Sequence, residues 1–130
     1  PLALRHGDSR TDNMLFTDSG MVLIDFGVSG SGRPAGDVAY LLSESIPPGP
    51  EARKAFLAGC RDYHAELVAA GVDDHPLDAF LVDCEVVLAV QAYRAVLMEA
   101  TYEADYDGES LAEIWGPRIG ALLAEEPPEI

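Results

Sequence analysis

Apolar residues follow two rhythms along this chain, short runs broken by turn residues in the first third and longer stretches at helical spacing afterwards. Leu2-Ala3-Leu4 reads as a strand end, followed by the polar stretch from His6 to Asn13. Met14-Leu15-Phe16 and Met21-Val22-Leu23-Ile24 flank Thr17-Asp18-Ser19-Gly20. Two apolar runs around a four-residue Asp/Gly turn predict a β-hairpin. Asp25-Phe26-Gly27 closes its second strand. The stretch from Gly27 to Gly36, with Gly30, Gly32 and Pro34 inside it, predicts an irregular loop.

From Asp37 onward the pattern is helical. Asp37 is placed as the N-cap of a helix through Val38-Ala39-Tyr40-Leu41-Leu42. Pro47-Pro48-Gly49-Pro50 stops that helix and opens the next. Phe56, Leu57, Cys60, Tyr63, His64, Leu67 and Val68 recur at i, i+3, i+4, i+7, an amphipathic helix that Gly71 ends. A third helix starts at Pro76, a residue suited to a first helical turn, and runs to about Tyr102. Its stretch from Val86 to Met98 suits a central buried helix. Asp107-Gly108 breaks it, Leu111 to Trp115 begins a last helix disturbed by Gly116-Pro117, and Glu125 to Ile130 is an acidic, frayed tail. The expected fold class is α+β: a small β-hairpin carrying the polar residues on a mostly helical body, without which the hairpin is unstable.

With 130 residues, 48% of them hydrophobic, the chain can build one domain with a modest core. The net charge of −15 bears more on function. Residues 1–36 hold three basic and four acidic side chains, and the other 94 hold five basic and 19 acidic ones. No basic stripe is available to a phosphate backbone, which excludes nucleic acid as a partner. The acidic excess can steer a cationic substrate, although a solvated, mutually repelling surface accounts for it more simply. Val86 to Met98 is interrupted by Gln91 and Arg94 and is too short and polar to span a bilayer. Cys60 and Cys84 lack metal-ligand spacing and fit reduced, partly buried thiols of a cytoplasmic protein, a disulfide being the less favoured alternative. The N-terminus has no charged segment followed by an apolar run, so no secretory signal is expected, and the missing initial Met suggests a fragment.

The sharpest chemical signal is His6-Gly7-Asp8-Ser9-Arg10-Thr11-Asp12-Asn13, followed twelve residues later by Asp25-Phe26-Gly27. Phosphoryl transfer from ATP asks for a carboxylate to orient and deprotonate the attacking hydroxyl, and for ligands to the magnesium that bridges the phosphates. Asn and Asp side chains are hard oxygen ligands that suit magnesium. An Asp, four residues and an Asn place both kinds of group on one turn-rich segment, and a short hairpin returns a second Asp to it.

This pattern resembles the catalytic loop and metal-binding Asp-Phe-Gly of the protein-kinase-like fold. With His-Gly-Asp in place of His-Arg-Asp, it is similar to the aminoglycoside phosphotransferase branch, whose members phosphorylate small molecules. Asp12-Asn13-Met14-Leu15-Phe16, Val22-Leu23-Ile24-Asp25 and Gly36-Asp37-Val38-Ala39-Tyr40-Leu41-Leu42 look like successive motifs of that family, so the likeness covers residues 4–42 closely. It implies that residues 1–130 are the C-terminal, catalytic and substrate-binding lobe of an ATP- and Mg2+-dependent kinase. The N-terminal nucleotide-binding lobe is expected to be absent, because no glycine-rich nucleotide loop, lysine strand or hinge is found. The glycines from 27 to 36 match an activation segment, and no Lys-Ser/Thr follows them as a P-loop requires.

By that resemblance Asp8 is the catalytic base, and Asn13 and Asp25 are the metal and nucleotide ligands. Arg10 either stabilises charge on the phosphoryl oxygens or pairs with Asp12 or Asp37 to brace the loop. His6 is expected to hold the loop by hydrogen bonds rather than carry protons. Asp37 resembles the family's buried aspartate that supports the catalytic loop, a role compatible with helix capping. Gly27 stands where many members have an acidic residue, which leaves the subfamily open.

Outside the motifs, His64 and His75 read as a surface cluster in preference to a metal site, and Trp115 and Tyr102 as core packing in preference to pocket lining. Glu99, Glu103, Asp105, Asp107, Glu109 and Glu113 form either a solvated face or a receiving surface for an amine-bearing acceptor, with Glu103 and Asp105 as candidate substrate ligands. The functional expectation is a phosphotransferase acting on a hydroxyl of a small molecule. The alternative is a truncated or pseudokinase-like lobe that serves as a binding module.

Overall fold

The structure is a computed structural model and describes residues 1–101, 105–106 and 109–124. Near the N-terminus β1 (Ala3–Arg5) pairs antiparallel with β4 (Gly30–Gly32), placing Leu4 opposite Ser31. Between them β2 (Met14–Thr17) and β3 (Gly20–Leu23) form the expected hairpin, with Met14 opposite Leu23 and Thr17 opposite Gly20. The turn is tighter than the four residues expected. Thr17 and Gly20 are themselves a paired position, leaving Asp18-Ser19 as the loop, and the Thr17 hydroxyl donates to the Gly20 carbonyl at 2.9 Å. Helices α1 (Ala35–Ser45), α2 (Ala52–Ala69), α3 (Leu77–Thr101) and α4 (Leu111–Leu123) follow, with β5 (Asp105–Tyr106) and β6 (Glu109–Ser110) paired between the last two. The described residues therefore build an α+β structure that is mostly helical.

The glycine-rich stretch is not wholly a loop, since it contributes β4. Glycine leaves room beside this pairing for the Arg5 side chain. Arg5 of β1 lays its side chain across Gly32 and Gly36, and a Cβ on either glycine would collide with it. Arg33, just beyond β4, anchors the segment to α3 through the Asp83 carboxylate at 2.8 and 3.0 Å.

All four helices meet in one core. Phe56 and Cys60 of α2, Phe80, Cys84 and Leu88 of α3, and Leu122 of α4 are fully buried, with Ala35, Val38 and Ala39 of α1 against them. Cys60 and Cys84 are free thiols, more deeply buried than expected, and hydrogen-bonded to each other. That contact lowers the Cys60 thiol and, together with burial, pushes Cys84 up. Ala95, Trp115 and Ile119 form a second cluster between α3 and α4, so Trp115 packs as expected. After α2, the Gly71 amide donates to the Val68 carbonyl at 3.0 Å and the Val72 amide to the Leu67 carbonyl at 2.9 Å. These paired bonds satisfy the last carbonyls of the helix.

Three expectations are corrected by packing. Helix α3 is not buried all round. It buries a stripe at Phe80, Cys84, Leu88, Gln91 and Ala95 and exposes Val82, Val86, Val90, Tyr93 and Val96 on the other side. Helix α4 runs unbroken through Gly116-Pro117. Its start is secured by a capping box, the Glu113 amide donating to Ser110 Oγ and the Ser110 amide to the Glu113 carboxylate. Trp115, Ile119 and Leu122 then bury one face, which offsets the hydrogen bond that Pro117 cannot donate. His75 is not on the surface: it is buried beside Phe80, with Nε2 3.1 Å from the Asp83 carboxylate, and its carbonyl accepts from His64 Nε2 at 2.7 Å. Among the described residues no three His, Cys, Asp or Glu side chains gather as a metal-holding group, and no helix is long and apolar enough to cross a membrane.

Candidate active site

The polar loop after β1 is held by the first turn of α1. The amides of His6 and Gly7 donate to the two carboxylate oxygens of Asp37, at 2.7 and 2.9 Å. Ser9 Oγ donates to the Asp37 carbonyl at 2.7 Å, and Arg5 Nε lies 3.7 Å from the carboxylate. Asp37 is not the N-cap. The helix begins at Ala35, two residues earlier, so its carboxylate faces the loop and makes no capping bond. Successive amides can converge on one carboxylate only if the backbone turns sharply, which Gly7 allows with φ of +84°. A Cβ at Gly7 would also come within 2.5 Å of the Val28 carbonyl oxygen. Gly7→Ala is therefore expected to destabilise the protein by about 2 kcal/mol. Calorimetry should show a melting temperature several degrees below wild type, and an unchanged one would contradict the close packing at Val28.

His6 ties this loop to the end of β3. Its Nδ1 accepts from the Asp8 amide at 3.3 Å, so Nε2 carries the proton and donates to the Ile24 carbonyl at 2.8 Å. The ring packs on Phe26, with centroids 4.6 Å apart. Both imidazole nitrogens are thus engaged within the fold.

Asp8 is half-buried and meets side chains from three directions. Asn13, buried at the end of a 3-10 turn (Thr11–Asn13), directs Nδ2 to the Asp8 carbonyl at 2.8 Å and to Asp8 Oδ2 at 2.9 Å. Both partners are acceptor oxygens, so the amide nitrogen faces them and Oδ1 of Asn13 is left free of Asp8. Arg10 Nε lies 3.2 Å from Asp8 Oδ1, and Arg10 Nη1 lies 3.8 Å from Asp12, so the arginine braces the loop through Asp12 and contacts Asp8 as well. From α1 the Tyr40 hydroxyl donates to Asp8 Oδ1 at 3.2 Å.

Asp25 stands beside this group. The Ile24 amide donates to the Asn13 carbonyl at 3.0 Å, which pins the end of β3 to the 3-10 turn and brings out Asp25 one residue further on. Asp25 has φ of +61°, the one positive value among the described non-glycine residues. Such backbone is costly for a side chain and collects at functional sites, and Asp tolerates it better than most residues. Its carboxylate is exposed.

Behind Tyr40 the site is unusually charged for a helix interface. Arg94 of α3 places its guanidinium 5.4 Å from the centre of the Tyr40 ring. Burial, and then the negative charges of Glu44 and Asp8, push the Tyr40 phenol up to about 12. Burial also raises the Glu44 carboxyl, against the pull of Arg118 and a hydrogen bond with Trp115. Tyr40 and Glu44 were not singled out in the sequence. The available signal was helical spacing, since Tyr40 follows Asp37 by three residues and shares its face of α1.

Asp8, Arg10, Asn13, His6 and Asp37 are thus joined by contacts, and Asp25 is linked to them through the backbone of the preceding residue, Ile24. Of the candidate substrate residues, Glu103 lies outside the described residues, as does Tyr102, and Asp105 is placed only by its backbone in β5. Glu113 of the same acidic group serves as a helix cap.

Searches of curated proteins and of solved structures find no match to the chain. A sequence profile described as the phosphotransferase enzyme family matches residues 1–69, from β1 through the catalytic-type loop, the hairpin, β4 and α1 to the end of α2. The match covers more than half of the chain and contains each of the residues named above as meeting at Asp8. The chain belongs to the phosphotransferase enzyme family.

Proposed function

We propose that this chain is the catalytic lobe of a kinase-like phosphotransferase that uses ATP and Mg2+ to phosphorylate a hydroxyl of a small molecule. The observation that carries the reading is the Asp8–Asn13 pair. One end of the Asn13 carboxamide fixes the Asp8 carboxylate, and the other end is an oxygen left for a cation. Asp25 adds an exposed carboxylate alongside. Magnesium takes few protein ligands and fills its remaining positions with phosphate oxygens and water, so an Asn oxygen and one carboxylate fit it. Bound there, the ion would neutralise charge on the nucleotide phosphates.

The protein's own part follows from the geometry. Asp8 orients the acceptor hydroxyl and takes its proton as the new O–P bond forms and the bond from the γ-phosphorus to the bridging oxygen of ADP breaks. Arg10, 3.2 Å from Asp8, is the cation we assign to the charge on the transferred group. Asp37 and His6 keep the loop in shape. Leu4, Phe16 and Val28 are at least 66% exposed, an apolar surface that suits packing against a nucleotide-binding lobe supplying the phosphate cover and lysine.

The test is phosphoryl transfer by the intact protein, incubated with ATP, magnesium and a panel of amino alcohols, sugars and aminoglycosides. The expected result is acceptor-dependent ADP release that chelation of magnesium stops. ADP release indifferent to every acceptor and to magnesium would reject the reading.

A further inference from the structure

We propose that Tyr40 is a positioning residue for this reaction, fixing the orientation of the Asp8 carboxylate from the rigid face of α1; the inference rests on Asp8 being the base. A carboxylate on a short side chain turns easily about its last bond, whose torsional wells are broad. A base that must meet a hydroxyl in one geometry therefore needs a partner on each oxygen. Asn13 holds Oδ2, but it belongs to the same loop as Asp8 and moves with it. Arg10, 3.2 Å from Oδ1, belongs to that loop too, whereas Tyr40 holds Oδ1 from outside it, 32 residues away in sequence.

Everything around Tyr40 keeps it in place. The residue is 3% exposed, its carbonyl accepts from Ser43 Oγ at 2.7 Å, and Arg94 covers its ring from α3. An ionised carboxylate can only accept, so the phenol must donate. The high value of its phenol, about 12, keeps that proton on the oxygen at neutral pH. One turn of α1 thus controls the loop twice: Asp37 holds its backbone and Tyr40 its reactive side chain.

Steady-state kinetics of the intact wild type, Tyr40→Phe, Asp8→Asn and the double variant test the role. Phe keeps the ring and its packing and removes only the hydroxyl, and thermal melts set a common temperature at which all four proteins are folded. Tyr40→Phe is expected to lower kcat about tenfold, the lower end of what a hydrogen bond to a charged group is worth. KM for ATP and acceptor should stay unchanged, and the double variant should be no slower than Asp8→Asn alone. Wild-type kcat in Tyr40→Phe, beside a crippled Asp8→Asn, would overturn the positioning role and leave the base assignment standing. A loss that appears in KM, or recurs in full on the Asp8→Asn background, would assign Tyr40 to packing and overturn it equally. Wild-type turnover by Asp8→Asn would bring down the base assignment, and the proposal with it.

Discussion

Asp8→Asn is expected to lower kcat for phosphoryl transfer by at least two orders of magnitude, the usual scale of a general base. The substitution is close to isosteric. An Asn side chain can still offer an oxygen to the Tyr40 hydroxyl or to Asn13 Nδ2, so the loop should keep the shape that Asp37 imposes on it. What it cannot do is take a proton from the acceptor. The residues proposed to hold magnesium are not themselves replaced, and KM for ATP should not move. Rate and nucleotide affinity are thus expected to separate, and steady-state kinetics with both substrates varied would show it. Turnover within a few-fold of wild type would remove Asp8 from the mechanism.

Asp25→Ala is expected to abolish the effect of magnesium on nucleotide binding, as read by isothermal titration of the intact protein with ATP in the presence and absence of the metal. Alanine at this position also carries a backbone cost, because φ of +61° is unfavourable for any residue with a Cβ. Asp25→Gly separates the two consequences. It removes the carboxylate but relieves the backbone, so it should melt about 1 kcal/mol more stably than the Ala variant while losing the same metal dependence. An undiminished magnesium effect in both variants would contradict the assignment of Asp25, whatever their stability.

Much of the site could be read from the chain because its parts are local. Asp8 and Asn13 are five residues apart on one segment, and a two-residue turn returns the end of β3, with Ile24, to Asn13, so spacing alone nearly dictates these contacts. The same holds for the hairpin, for the stripe at Phe56 and Cys60, and for the glycine that ends α2, each set by chain geometry over a few residues. Other features depend on which surfaces meet. Asp37 clasps the His6 and Gly7 amides across about thirty residues, and Tyr40 reaches Asp8 over a similar gap, because α1 docks its first turn on the loop. Residue propensity does not distinguish that from ordinary capping; for Asp37 only the family resemblance pointed to it. The pairing of Gly30–Gly32 with β1 depends on where the chain returns after the hairpin, and Pro117 stays helical because Trp115 and Ile119 are buried against α3. Burial of His75 beside Phe80, Asp83 and His64, and exposure of one apolar side of α3, were likewise set by how the helices pack. Periodicity and turn chemistry specify which elements form, but the side chain an element presents to its partner is chosen by packing, and packing is a property of the whole core.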